Sequence, residues 1–283
     1  MSDVEIIPID LSNIPIAIQV FARARNSPLD VEQSLIESTT MFYKKNNFTG
    51  IAITLNKTII AFAGLIGMIG KTAWIPYVGV DPDYQGQGYG RILMENLLKL
   101  AKKNYWKSLE LVASEAGFPV YRKFNFRTDY HVASYEIKSI ETDTISTDLL
   151  ITEINKNQNL PSWVLKFDQS VFGIDRSNIF PIHNYNKIFL ITKANEGYGI
   201  VYGKRIGPII ANSIEIARDI IIKGFSLGGE SVILINEPKR IDFFKKEIFM
   251  EMIPKTISPK MSFGELIPFK KEYIFGLRTM AYG

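Results

Sequence analysis

The stretch Val78-Gly79-Val80-Asp81-Pro82-Asp83-Tyr84-Gln85-Gly86-Gln87-Gly88-Tyr89-Gly90-Arg91 constrains this chain more than any other. The apolar run over 74–80 reads as a buried strand, and Pro82 breaks the turn that follows. Three glycines then stand at alternate positions. Leu93, Leu97, Leu100 and Ala101 recur at i, i+4, i+7 and i+8, which is one apolar face of a helix over 90–103. A glycine-rich turn that opens a helix is an anion site. The first helical N–H groups have no intrahelical acceptor and lie at the positive end of the dipole. Glycine lets a phosphate approach the backbone without meeting a Cβ and permits positive φ. Two other phosphate motifs fail at named positions. A Rossmann fingerprint would need Gly-x-Gly-x-x-Gly directly after the strand, but position 91 is Arg and five residues separate Val80 from Gly86. A P-loop would end in Gly70-Lys71-Thr72, but its first position is Leu65 and an apolar strand follows. Gly70-Lys71 reads instead as a hairpin turn.

The spacing Gln85-x-x-Gly88-x-Gly90, with Val78-x-Val80-Asp81-Pro82 leading in, resembles the pyrophosphate loop of the GNAT family, the acetyl-CoA-dependent N-acetyltransferases. The resemblance implies that Gln85, Gly86, Gln87, Gly88, Tyr89, Gly90 and Arg91 hold the pyrophosphate of acetyl-CoA. It also implies that Val78, Gly79 and Val80 meet the pantetheine through main chain, with one N–H on the thioester carbonyl. A second segment, Ser114 to Phe126, resembles the family's Asn-x-x-Ala-x-x-x-Tyr-x-x-x-Gly-Phe. Tyr121 takes the tyrosine position, as a general acid for the leaving thiolate or as a ring that only packs against the strand. Ser114 replaces Asn as a pantetheine contact, with a shorter reach, and Gly117 stands where Ala is usual. Asn125 replaces Gly and tolerates positive φ.

The remaining text fits an α+β chain of two tandem GNAT-like folds, each a mixed, mainly antiparallel sheet with flanking helices. Val4 to Pro8 alternates as a first strand. Asn13 is placed to cap a helix to about Arg25, and Asp30 a second over 31–45. Strands follow over 50–55, 58–68 and 72–80, and after the helix another over 108–113. The resemblance implies that the two early helices wall the acceptor side. Phe126 to Ile137 closes a first domain, 1–140. A polar stretch over 138–148 marks the boundary. The second domain, 148–283, runs strand, helix from Asn159 to about Val171, hairpin (187–194 and 197–203), strand (205–211), helix (213–227), strand (231–235), helix (239–249) and last strand (273–280). It lacks Gln-x-x-Gly-x-Gly. Phe172-Gly173-x-Asp175-Arg176-Ser177 and Gly207-Pro208-x-x-Ala211 resemble a C-terminal acetyltransferase-like domain, a degenerate copy expected to bind no CoA.

Composition excludes several classes. No cysteine occurs among the 283 residues, so disulfides, thiolate metal sites and a cysteine nucleophile are ruled out. His131 and His183 are too far apart in sequence to suggest a metal site. No apolar run reaches the roughly 18–20 residues of a membrane span, and the first residues do not read as a signal peptide. A net charge of +4 in scattered lysine pairs does not make a nucleic-acid patch but suits a polyanionic co-substrate. The reading is therefore a cytoplasmic N-acetyltransferase using acetyl-CoA and no metal, acting on a small-molecule or peptide amine, without nucleic-acid or membrane partners. The alternative is a non-catalytic acyl-CoA-binding module. Glu110 is a possible base but is expected to face solvent. Asp175 and Arg176 read as a turn, an ion pair or pocket residues.

Overall fold

In this computed structural model the described residues are 4–140, 149–154, 160–180, 187–248 and 252–279. The boundary residues 141–148, His183 and the expected helix start at Asn159 lie outside them. The first half runs β1 (Val4–Pro8), α1 (Ile14–Ala24), α2 (Leu29–Lys44), β2 (Phe48–Leu55), β3 (Thr58–Gly67), β4 (Thr72–Val80), α3 (Tyr89–Lys103), β5 (Ser108–Val112), α4 (Phe118–Lys123) and β6 (Arg127–Ile137). The second half runs β7 (Leu149–Ile154), α5 (Ser162–Phe172), β8 (Lys187–Thr192), β9 (Gly197–Tyr202), β10 (Arg205–Ala211), α6 (Ile214–Ser226), β11 (Ser231–Ile235), α7 (Pro238–Ile248), β12 (Met252–Gly264) and β13 (Ile274–Leu277).

The expected caps of the first two helices take other forms. Asn13 is the N-cap of α1, but its side chain accepts the Asp10 N–H at 2.9 Å instead of capping the helix. Asp30 lies inside the first turn of α2, after Pro28.

Both halves share one mixed sheet in the order β1-β2-β3-β4-β5-β12-β6-β11-β13-β10-β9-β8-β7. The two halves therefore exchange strands at the centre. β12, from the second half, lies between β5 and β6 of the first, while β6 pairs on its other edge with β11. No element is expected from sequence over 252–264, where Pro254 and Pro259 stand. Register shifts beside both prolines accommodate them: one lies between Pro254 and Thr256, the other between Lys260 and Met261. Pro259 still serves the sheet by accepting the Ala113 N–H at 2.9 Å.

Helices cover both faces. Helices α1 and α2 pack on Phe48, Phe62, Trp74 and Tyr77, and α5 lies on the same face over Val132, Tyr198 and Ile233, with Val112 touching both clusters. Helix α3 covers Ile53, Ile60 and Leu65 on the opposite face, and α6 and α7 cover Ile209, Val232 and Leu234.

The exchange buries an ion cluster. Lys260 on β12 pairs with Asp129 at 2.8 Å and Glu110 at 3.3 Å, and all three side chains are at most 13% exposed. Asp129 reaches this face because it is the extra residue of a bulge: Lys260 stands opposite Tyr130 and Met261 opposite Thr128. Ser262 also donates to Asp129 at 2.8 Å. Burial alone would lower the Lys260 pKa; Glu110, Tyr130 and Asp129 outweigh it and hold it above the ordinary 10.5.

Lys260→Met should cost about 3–5 kcal/mol in denaturant unfolding, because two buried carboxylates lose their counterion. A raised lysine contributes stability in full below its unfolded pKa, and that contribution is lost as pH rises through the folded value. The gap between wild type and variant should therefore hold from neutral pH to about 10.5 and close only above it. Residues 1–140 expressed alone would leave the facing edges of β5 and β6 unpaired. We expect that fragment to show no cooperative calorimetric transition.

Candidate active site

β4 and β5 run parallel but pair at only three positions: Thr72 with Ser108, Ala73 with Leu109 and Trp74 with Glu110. Beyond Trp74 they diverge. A bulge helps to turn β4 away, since Tyr77 stands opposite Gly64 and Trp74 opposite Ile66, leaving Ile75 and Pro76 as the irregular step. The N–H of Asp81 goes to Ile60 on β3 at 2.8 Å. Main-chain groups alternate sides along a strand, so Gly79 and Tyr77 also face β3, while Val78 and Val80 present theirs to the opening. The Val80 carbonyl does so visibly, accepting the Gln85 side-chain amide at 3.0 Å. Gly79 is thus not a free main-chain donor, although it lines the opening. Its missing Cβ serves packing: a Cβ there would lie 3.0 Å from the Phe21 Cα and 3.4 Å from the Ala24 Cβ, so glycine lets α1 settle onto β4.

The loop after β4 is pinned before it reaches the glycines. The buried Asp81 carboxylate accepts the Asp83 N–H at 3.1 Å and pairs with Arg23 of α1 at 2.9 Å, and Arg23 also reaches Asp83 at 3.1 Å. Gly86 and Gly88 have φ of +77° and +87°. Gly88 is the N-cap of α3 and supplies no capping side chain, so the N–H groups of Tyr89 and Gly90 have no side-chain cap, while that of Arg91 already donates to the Gly88 carbonyl at 3.0 Å. A Cβ at either glycine would meet nothing within 4 Å, so backbone conformation and ligand approach, not crowding, require glycine there. Arg91 pairs with Glu95 at 2.8 Å.

Opening and loop form one cavity of about 730 Å³. Val78, Gly79 and Val80 line it from the strand, and Gln85, Gly86, Gly88, Tyr89, Gly90 and Arg91 from the loop and helix. Gln87 does not line it. Ser114 and Tyr121 stand on the opposite wall. The Ser114 hydroxyl accepts the Gly117 N–H at 3.2 Å, in the turn that opens α4. The Tyr121 ring lies against Gly117, where a Cβ would come within 2.8 Å of the ring, and this accounts for glycine in place of alanine. Burial pushes the Tyr121 phenol up to about 12, with Arg25 pulling the other way. Asn125 takes φ of +63°, as its place in the segment requires. Tyr84, which ends the lead-in to the loop, also lines the cavity, as do Arg25, Glu95 and Lys123, which were not picked out from sequence. Arg25 lies more than fifty positions before the loop, and only the seating of α1 on Gly79 brings it there.

The expectation for Glu110 needs correction. It faces the α1–α2 side of the sheet beside Trp74, bound to Lys260, not solvent. Among the described residues no group of three or more His, Cys, Asp or Glu side chains is arranged to hold a metal, and no helix is long and apolar enough to cross a membrane.

Comparison with known proteins identifies the architecture. Profiles of the GNAT acetyltransferase family match residues 20–126 and, as a second GNAT domain, 164–276. The chain belongs to the GNAT family, as a two-domain member. A crystal structure from Pyrococcus horikoshii, a candidate acetyltransferase, is 25% identical over 99% of this chain and 96% of its own, with a TM-score of 0.85. A GCN5-related N-acetyltransferase from Anabaena variabilis shares the fold at 15% identity, over 92% of this chain and 72% of its own, with a TM-score of 0.64. Among curated proteins, UPF0039 protein C11D3.02c of Schizosaccharomyces pombe is 36% identical over 74 residues, 25% of this chain; the match spans about half of that relative, 49%.

The second GNAT unit repeats the splayed strands but fills the gap. β10 and β11 pair only at Arg205 with Ser231 and Ile206 with Val232. β13 then enters between them, setting Ile209 opposite Gly276 and Leu277 opposite Ile233. Where the first unit has its glycine loop, Ser213 caps α6 directly by accepting the Ile216 N–H at 3.3 Å. The last strand is shorter than expected from sequence, 274–277, and this placement is its function.

The Phe172–Ser177 segment docks on the first unit. Asp175 bridges Ile69, Asn178 donates to the Gly67 carbonyl at 2.7 Å, and Arg176 is buried against Asp168 at 2.7 Å. Asp175 and Arg176 are therefore a turn and an ion pair.

Gly88→Glu should abolish CoA binding in a calorimetric titration that gives one equivalent for wild type. Gly88→Ala should lower stability by about 1–2 kcal/mol, the cost of a left-handed non-glycine residue.

Proposed function

We propose that the protein is an N-acetyltransferase moving an acetyl group from acetyl-CoA to a primary amine, with one active site, in the first unit. The observation that carries this reading is the single cavity formed by the splayed β4 edge and the uncapped start of α3. The Val78 main chain and the Val80 N–H, on the edge that faces the opening, suit the pantetheine amides as an added strand would. The N–H groups around Gly86 to Gly90, with the Arg91 side chain beside them, suit the pyrophosphate. An open edge N–H would also stabilise the oxyanion formed when the amine attacks the thioester carbon.

Tyr121 stands across the opening as a neutral O–H donor at every ordinary pH. Ser114 is a candidate pantetheine contact. Glu110 is the candidate acceptor of the amine's proton, through water: it does not line the cavity itself, but stands on the α1–α2 face at the last paired rung before the strands part. Its ion pair with Lys260 at 3.3 Å holds it in place. The second unit is proposed to bind no CoA, since its gap already holds β13.

The decisive assay follows thiol release from acetyl-CoA over a panel of small amines and peptide N-termini. CoA binding without thiol release from any of them would leave a non-catalytic binding module. Tyr121→Phe should lower turnover while leaving the CoA dissociation constant nearly intact; wild-type turnover across pH would remove Tyr121 from the chemistry. Glu110→Gln should lower kcat/KM by about 10²–10⁴-fold, the usual worth of a general base. Because Glu110 also belongs to the buried Lys260 cluster, the variant should lose some stability in denaturant unfolding while Lys260 keeps Asp129 as a partner; a turnover loss no larger than the loss of folded protein would remove Glu110 from the chemistry.

A further inference from the structure

Acetyl transfer leaves an electron pair on the CoA sulfur, and the site must accommodate that charge. We propose that Arg25, at the C-terminal end of α1, is a catalytic residue that stabilises the departing CoA thiolate. The proposal rests on the acetyl-transfer reading above and assigns its leaving-group step.

The first support is position. The cavity passes between the two faces of the sheet, with α1 on one side and α4 on the other, and Arg25 and Tyr121 both line it. The bare Cα of Gly79 draws the last turn of α1 onto the strand edge that faces the opening. That brings Ala24 and Arg25 to the wall of the cavity beside this edge.

The second is availability. Arg23 is engaged by Asp81 and Asp83, and Arg91 by Glu95. The exposed Arg25 has no carboxylate partner among the described residues; its guanidinium lies 5.7 Å from the centre of the Phe21 ring. The charge of Arg25 also acts on the Tyr121 phenol, pulling against burial.

The third is chemical need. Burial pushes the Tyr121 phenol up to about 12, whereas an ordinary alkyl thiol titrates at about 8.5. Moving the phenolic proton to the sulfur is therefore unfavourable. Tyr121 offers the sulfur a hydrogen bond, and a cation beside it would stabilise the charge that remains. In balance, the amine nitrogen bonds to the carbonyl carbon and the C–S bond breaks with its electron pair going to sulfur. The surplus N–H proton leaves through the base. The sulfur departs as a thiolate beside Arg25 and is protonated by solvent.

The test needs no acceptor. CoA is bound to the full chain and its thiol is titrated by the ultraviolet absorbance of the thiolate. The bound thiol should titrate about one pH unit lower in wild type than in Arg25→Gln, with Arg25→Lys restoring most of the difference. By linkage, wild-type CoA affinity should rise about tenfold as pH climbs through the bound thiol's range, and this rise should vanish in Arg25→Gln. Desulfo-CoA, which has no sulfur, should bind wild type and variants equally at every pH. An unchanged thiol titration with CoA bound would overturn the proposal alone. Loss of desulfo-CoA affinity in Arg25→Gln with the titration unchanged would make Arg25 a phosphate contact instead. Failure of wild type to bind CoA would overturn the acetyl-transfer reading and this role with it.

Discussion

Everything in this structure hangs on the central pair β6–β12. An antiparallel strand from each half runs beside the other from Ile137 and Met252 to Arg127 and Ser262, and each then pairs outward with the other half's fifth strand. Neither half has a complete sheet without the exchange. The buried Lys260 sits at this junction and ties carboxylates on β5 and β6 to β12. A buried triad of this kind adds little net stability compared with an apolar core, but removing one member is costly. It therefore favours one register of the exchanged strands over slipped alternatives.

The two units solve the same backbone problem in opposite ways. Parallel strands that diverge leave unpaired N–H and C=O groups, which must find a partner or water. In the second unit β13 supplies that partner from within the chain. In the first unit no strand among the described residues does; the Gln85 side chain takes the Val80 carbonyl, and the rest of that β4 edge stays available beside a helix start that lacks a capping side chain. A peptide-like ligand ending in phosphates satisfies both deficits at once. The same geometry thus reads as a site in one unit and as a filled scaffold in the other, and the second unit's contribution lies elsewhere: strand β12, Lys260 and the segment that docks Asp175 and Asn178 on the first unit.

Much of this was legible in the residues. Gln85, Gly86, Gly88 and Gly90 marked the loop because glycines at that spacing, set directly before an amphipathic helix, leave its first N–H groups open to an anion. Tyr121 followed from its own segment. Glu110 was misjudged, because strand alternation identifies a face but not what covers it. β12 was missed, because prolines that usually exclude a central strand are absorbed here by register shifts. Arg25 carried no signal in sequence.

The sequence by itself determined the local elements: strand, glycine turn and helix in succession, repeated in a second half without the glycines. These depend on short-range chemistry, on φ freedom, capping and periodic burial, that neighbouring residues settle between them. Tertiary structure alone decided which strands pair at the centre, which of two equivalent gaps stays open, and which charges meet across it. Those outcomes rest on contacts between residues more than a hundred positions apart, such as Asp129 with Lys260, whose cost in chain entropy is repaid only when the whole sheet closes.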